Sequence, residues 1–203
     1  DMFGGEENLI EVVTTQAESV IDYELGYNVT SDKFTGNLNL YYMDFSNELI
    51  LNGEMGTNGL PIRENIEKSY RTGVELSLTC EPVKGLVLSN TTSYSINKVE
   101  TALETLSHTM SPAWLVNQSV VYGFKGFEIG LDMKYRSKMY FDLSNMYEFE
   151  SSLRFGANAT YTYKDFTFGV HVNNLFNERS FSNGMMGANE PLYFIDAPRN
   201  FNI

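Results

Sequence analysis

Hydrophobic and polar residues alternate with period two along most of this chain, and most regularly between Leu153 and Phe176. Leu153, Phe155, Ala157, Ala159, Tyr161 and Tyr163 share one parity, and Ser152, Arg154, Gly156, Asn158, Thr160 and Thr162 share the other. Lys164-Asp165 interrupts the pattern, after which Phe166, Phe168, Val170 and Val172 oppose Thr167, Gly169, His171 and Asn173. Successive side chains of a strand point to opposite faces, so two alternating runs around a two-residue polar break predict a β-hairpin. One of its faces is apolar and aromatic; the other is small, polar or charged.

The same pattern recurs upstream. Ile21 to Val29 alternates with Asp22, Glu24, Gly26 and Asn28, and a turn at Ser31-Asp32 leads to a strand from Phe34 to about Leu51. Asn52 to Arg63 reads as a long Gly-rich loop, and Val74, Leu76, Leu78 and Cys80 mark the next strand. Glu81 to Gly85 is a short turn before Leu86 to Asn97, where Asn90 and Thr92 sit at apolar positions and leave the facing ambiguous. Lys98 to Met110 is a polar loop, Ser111 to Phe124 a strand of ambiguous facing, and Lys125-Gly126 a turn. Phe127 to Tyr135 alternates strongly with Glu128, Gly130, Asp132, Lys134 and Arg136. Ser137 to Met146 and Glu178 to Ala197 are further loops, and Pro198 to Ile203 begins a last strand.

These strands run to roughly 10–16 residues, about twice the 5–6 usual in soluble sheets. Short turns alternate with long loops, and aromatic residues crowd the short turns: Tyr27 and Phe34, Tyr122, Phe124 and Phe127, then Tyr161, Tyr163, Phe166 and Phe168. That combination predicts an all-β, antiparallel, up-and-down transmembrane β-barrel whose apolar parity meets lipid and whose charged parity lines the lumen. Backbone groups at an open sheet edge have no partner in lipid, so the roughly nine strands counted here are expected to be part of a larger barrel.

Composition narrows the possibilities. There are 13 Tyr and 14 Phe against a single Trp, and the net charge is -12. No basic stripe is present to neutralise phosphates, which excludes nucleic acid as the expected partner. The single cysteine, Cys80, forbids an internal disulfide and any multi-cysteine metal site. No apolar stretch is long enough for a membrane helix. With Asp1 in first place and no signal peptide visible, residues 1–203 read as a mature form or a fragment.

Several segments then suggest a family. GVHVNNLFNERSF (Gly169 to Phe181) resembles the "v.NLf…Y" strand near the carboxyl end of TonB-dependent outer-membrane receptors, and APRNF (Ala197 to Phe201) their final "PR.f" motif. In family order, DYELGY (Asp22 to Tyr27), RTGVELSL (Arg71 to Leu78), SPAWLVN (Ser111 to Asn117) and KYRSKMYFDLSN (Lys134 to Asn145) are similar to further motifs. The resemblance implies the carboxyl-terminal segment of a 22-stranded barrel, the plug domain lying outside these residues. It also implies a receptor in the cell outer membrane. Such a receptor imports a bulky scarce nutrient, such as a ferric siderophore or another metal chelate, and is energised through the plug by a TonB-type partner.

Candidate chemistry is sparse. His108 beside Ser107, and His171 near Asn173, offer the residue types of an outer-membrane phospholipase, but no elbow places a nucleophile, so no catalytic residue is assigned. Met185-Met186 could take a soft metal, but lacks Cys or His partners at ligand spacing. Asp142 and Asn145 lack the full oxygen set of a calcium site. Gly53 to Gly59 lacks the Lys and the helix of a phosphate loop. No metal or cofactor is expected. Arg63, Trp114, Tyr140 and Tyr147 lie near long-loop ends, where a ligand would stack, although Trp and Tyr serve equally as interfacial girdle. A soluble β-sheet binding or adhesion module is the remaining alternative.

Overall fold

The structure, a computed structural model, describes residues 15–55, 60–187 and 190–203. The acidic opening segment through Thr14, part of the Gly53 to Gly59 stretch, and residues 188–189 lie outside the described residues. Among the described residues fourteen strands follow in chain order: β1 (Ser19–Ser31), β2 (Phe34–Met55), β3 (Pro61–Val83), β4 (Leu86–Glu100), β5 (Thr105–Ser107), β6 (Trp114–Phe124), β7 (Phe127–Arg136), β8 (Met139–Tyr140), β9 (Glu148–Phe149), β10 (Ser152–Tyr163), β11 (Phe166–Asn173), β12 (Phe181–Met186), β13 (Pro191–Ile195) and β14 (Asn200–Asn202). The main sheet runs β1-β2-β3-β4-β6-β7-β10-β11-β14, each strand antiparallel to its neighbours, with β5 folded back on β4. It is open at β1 and β14, so these residues form a barrel wall and not a closed barrel.

Register makes the two faces continuous. One apolar row crosses the sheet as Leu25, Leu40, Val74, Tyr94 and Trp114. Another runs Tyr122, Ile129, Ala159 and Val170. The polar face runs Glu24, Tyr41, Gly73 and Ser95, and farther along Ser119, Asp132 and Gly156. Leu25, Leu131, Phe166 and Phe168 are each more than half exposed, so the apolar face packs on nothing within the described residues. In a soluble sheet that face would be the core. Here the only buried hydrophobic cluster, among the described residues, is a small one formed by Met139, Phe141 and Phe149 in the loops.

Register also settles the facing of β4 and β6: Leu88 and Val120, Asn90 and Gln118, and Tyr94 and Trp114 are paired on the apolar face. Four two-residue turns close one end, at Asp32-Lys33, Lys84-Gly85, Lys125-Gly126 and Lys164-Asp165. At Lys125-Gly126 both residues have positive φ, 47° and 84°, the geometry whose twist matches a right-twisted hairpin. Gly85 and Gly126 also lie against neighbouring backbone: the Gly123 amide donates to the Gly85 carbonyl and the Thr162 amide to the Gly126 carbonyl, each at 2.8 Å. A Cβ on Gly126 would sit 2.7 Å from the Thr162 carbonyl oxygen.

The long connections are more ordered than their composition suggested. The predicted loop from Asn52 to Arg63 is shorter, because β2 and β3 stay paired as far as Leu51 opposite Arg63 and Met55 opposite Pro61. Within Lys98 to Met110, β4 continues to Glu100 and pairs with β5. The connections after β7 and β11 contain the β8/β9 pair and the β12/β13 hairpin. Hairpin pairing satisfies backbone groups that a polar sequence would otherwise leave to water.

Candidate ligand-facing site

The apolar face ends in a row of aromatic side chains on the side of the long connections. Tyr42 stacks on Tyr70 at 6.2 Å, and the Tyr94 ring packs at a tilt against Trp114 at 4.6 Å. Beyond Tyr42 the same parity of β2 carries Asp44 and Ser46, both exposed, so β2 and β3 continue past the apolar belt. Alternation then changes phase at Asn47, whose φ of 56° is left-handed. Glu48 and Ile50 consequently turn inward, at 4% and 3% exposure.

Glu48 is the centre of a charged cluster on the polar face. Its carboxylate accepts a hydrogen bond from the Ser69 hydroxyl and pairs with the Arg71 guanidinium, while His108 Nε2 lies 3.5 Å away. Ser69 is 1% exposed. His108 Nδ1 lies 2.8 Å from the Thr109 carbonyl oxygen, and its Nε2, the nitrogen facing Glu48, lies 3.4 Å from the Arg71 guanidinium. Burial pushes the Glu48 carboxyl up. The His108 and Ser69 hydrogen bonds and the Arg71 charge outweigh it and hold the group below its ordinary 4.5.

The connection carrying His108 is pinned on every side. The His108 amide donates to the Asn97 carbonyl at 3.0 Å, and the Thr109 hydroxyl to the Leu51 carbonyl at 3.4 Å. The Met110 amide donates to the Tyr140 carbonyl at 2.7 Å. Asn145 bonds both backbone groups of Ser107, at 2.7 and 2.9 Å. Two cavities flank the cluster. One of about 230 Å³ is lined by Glu48, Arg63, Arg71, His108 and Thr109. The other, about 370 Å³, lies along the polar wall between Glu24, Asn39, Arg71, Glu75 and Asn97. Arg71 borders both.

Beside them the β8/β9 and β12/β13 hairpins share an aromatic core. Phe149, 1% exposed, packs 5.2 Å from Phe141, and Tyr193 meets both edge-on at 5.7 Å. The β12/β13 hairpin is anchored to the wall by Arg154, whose guanidinium is 2.5 Å from Asp196, and by Arg136, which donates to the Phe181 carbonyl at 3.0 Å.

The TonB-dependent receptor-like β-barrel family model matches residues 2–175. The chain belongs to the TonB-dependent receptor β-barrel family. No curated protein matches it in sequence. Three solved structures illustrate its fold. The ferric yersiniabactin uptake receptor FyuA from Yersinia pestis is 18% identical, with a TM-score of 0.74 over 90% of this chain and 28% of that one. The copper transporter OprC is 14% identical, with 0.77 over 93% and 31%. The ferric citrate transporter FecA is 17% identical, with 0.74 over 90% and 30%. The chain therefore spans under a third of the length of these relatives. TonB-dependent receptor barrels reside in the outer membrane of Gram-negative bacteria, so the apolar face of this one meets lipid, and both the soluble module and the enzyme barrel are set aside.

The residues singled out from sequence separate within this TonB-dependent barrel. Arg63 lines the smaller cavity beside Glu48 and His108. Trp114 sits with Tyr94 on the lipid face, in the upper girdle. Tyr147 stacks on Phe141 at 5.7 Å, and Tyr140 has Lys138 Nζ 5.9 Å from its ring centroid. Ser107 does not meet His108: its hydroxyl accepts from Lys98 at 3.2 Å, and the hydroxyl beside His108 is that of Ser111, which donates to the Thr109 carbonyl. His171 bonds Asn173 at 2.8 Å. Asp142 caps a turn, accepting from the amides of Met146 and Tyr147 at 3.1 and 2.7 Å. Among the described residues no group of three His, Cys, Asp or Glu is placed to hold a metal. Met185 lies on β12 in the loop hairpin. Sequence reasoning missed Glu48 and Ser69, because the phase change at Asn47 is a conformational event that no alternation count announces.

Proposed function

We propose that this chain is the carboxyl-terminal wall of an active-transport receptor whose long extracellular connections bind a bulky scarce nutrient of the metal-chelate class. In this reading energy arrives from an inner-membrane TonB-type complex through a plug domain. One observation supports it most. At and above the level of the upper girdle, β2, β3 and the connection at His108 carry a fixed, charged cluster, Glu48–Arg71–His108, bordered by Arg63 and by cavities on the polar face. Buried, mutually oriented charges facing a concave surface are what recognition of a charged chelate requires. Arg63, Tyr140 and Tyr147 form the rim in this proposal, while Trp114 serves as girdle. FyuA and FecA, whose names give ferric yersiniabactin and ferric citrate as cargo, supply the precedent for a ferric chelate.

The test is uptake by the full-length receptor in a strain deleted for it, with radioactive ferric citrate and a ferric catecholate as probes, with and without a functional TonB. Uptake that needs both receptor and TonB, and is weakened at least several-fold by Arg63→Ala, is the expected result. Uptake of neither probe above the deletion background would overturn the ferric-chelate reading. Uptake indifferent to TonB would overturn the energised one.

A further inference from the structure

The Arg71 guanidinium is held firmly and yet only partly satisfied. Nη2 is paired with the Glu48 carboxylate and lies 3.4 Å from His108 Nε2, and Cζ stands 4.7 Å from the centroid of the Phe45 ring. Nε is buried without a partner, and Nη1 makes no hydrogen bond among the described residues. The side chain is 33% exposed and borders both cavities. An arginine fixed by three neighbours with one edge open is a preorganised donor, which loses little further side-chain entropy when it binds.

Asn97 supplies a second donor beside it. It stands directly opposite Arg71 on β4 and lines the larger cavity with it; such cross-strand partners share a face, with Cβ atoms about 5 Å apart. Its Nδ2 gives one hydrogen to Ser95 Oγ at 2.9 Å and has a second for a ligand. Its carbonyl accepts from the His108 amide, which fixes its backbone. Two adjacent N–H donors, one of them charged, suit the two oxygens of a carboxylate. The rest of the cavity has the opposite character. Glu24 and Glu75 also line it, both exposed, and at about 3.3 Å per residue Glu75 is roughly 13 Å below Arg71 on β3. Their carboxylates repel further anionic oxygens and accept hydrogen bonds from hydroxyl or amide N–H groups. A ferric tris-catecholate, anionic on every side, opposes that polarity, whereas a chelate with a free carboxylate at one end and hydroxyl donors at the other matches it. Depth separates this subsite from the rim. Arg71 adjoins Thr72, the partner of Tyr42 in the upper girdle, while Arg63 is farther up β3, opposite Leu51.

We infer that Arg71 Nη1 and Asn97 Nδ2 form a carboxylate-binding subsite in the inner wall, at the level of the upper girdle. The inference rests on the metal-chelate reading and narrows it to chelates that carry a free carboxylate and hydroxyl donors. Purified full-length receptor in detergent would be titrated by calorimetry with ferric citrate and with a ferric tris-catecholate. Ferric citrate is expected to bind, and the tris-catecholate to bind at least tenfold more weakly. Glu48→Gln with Arg71→Met removes the guanidinium and leaves no buried charge unpaired, and hydrogen exchange at Ser107 to Met110 verifies that the connection stays in place. That variant should bind ferric citrate at least tenfold more weakly than wild type, and Asn97→Ala several-fold more weakly. Undiminished ferric citrate binding in both variants, or tighter binding of the tris-catecholate by wild type, would overturn the subsite and leave the chelate reading standing. Binding of neither probe would overturn both.

Discussion

Replacing Arg71 with Met removes the charge that faces Glu48 and keeps much of the side-chain volume. The Glu48 side chain is only 6% exposed, so it would remain as a buried carboxylate held by Ser69 and His108 alone. Removing one partner of a fully buried pair costs about 3–5 kcal/mol. The Arg71 side chain is 33% exposed, and solvent screening lowers the expectation to about 1.5–3 kcal/mol. The loss should be local, because the cluster ties the connection at His108 to the ends of β2 and β3 and contributes nothing to the pairing of the lipid-spanning strands. Hydrogen exchange of the full-length receptor in detergent reads this directly. Amides from Ser107 to Met110 should lose roughly 10- to 100-fold of their protection, while those of β6 and β7 stay unchanged. The double variant Glu48→Gln with Arg71→Met should recover most of that protection, since no buried charge is left unpaired. Acid should reproduce the single variant. Because the Glu48 carboxyl is held below 4.5, its stabilisation is complete above that pH and is lost as pH falls through the lowered value. Protection that is the same in Arg71→Met as in wild type, or a double variant no better than the single, would refute the assignment of Glu48 as the charged centre.

Four further outcomes follow from the fold. Leu131→Arg, in the middle of the lipid face, should cost about 2–4 kcal/mol in refolding into bilayers, whereas Asn117→Arg on the polar face should cost under about 1 kcal/mol. Gly126→Ala should destabilise the β7 hairpin by about 1–2 kcal/mol from the left-handed φ alone, more if the Thr162 carbonyl cannot shift, as measured by urea titration. Phe149→Ala should remove about 3–5 kcal/mol from the loop core, read as faster protease cleavage between residues 137 and 150 with an intact barrel band. Asp196→Asn should release the β12/β13 hairpin from Arg154, so that its amides exchange faster while those of β10 do not.

The strand pattern was legible because a barrel wall in lipid is the simplest case of alternation: each strand has one uniform solvent on each side. Leu153 to Val172 declares its facing without any tertiary information, and the register of β10 with β7 and β11 follows it residue for residue. Where the sequence was ambiguous, at Asn90, Thr92 and Gln118, the ambiguity was physical, since polar side chains do stand among the lipid-facing positions. The loops were harder for a different reason. β5, β8 and β9 are only two or three residues long, too short for any period to register; β8 and β9 form where aromatic residues from separate connections meet, and β5 where Asn145 holds the backbone of Ser107.

The charged cluster shows why site residues are the least legible part of such a chain. Glu48 follows Asp44 and Ser46 at the same parity, and a period-two reading assigns all three to one face. A single left-handed residue, Asn47, reverses the assignment and carries the carboxylate from the outside of the wall to its inside, within reach of Ser69 and Arg71. Asn adopts that conformation at far lower cost than a β-branched residue does. Asn47→Val should therefore restore the uninterrupted alternation and turn Glu48 outward. Loss of protection at Ser107 to Met110, in a barrel that still folds, would then match the loss in Arg71→Met; unchanged protection would show that the strand end is fixed by its pairing with β3 and not by Asn47.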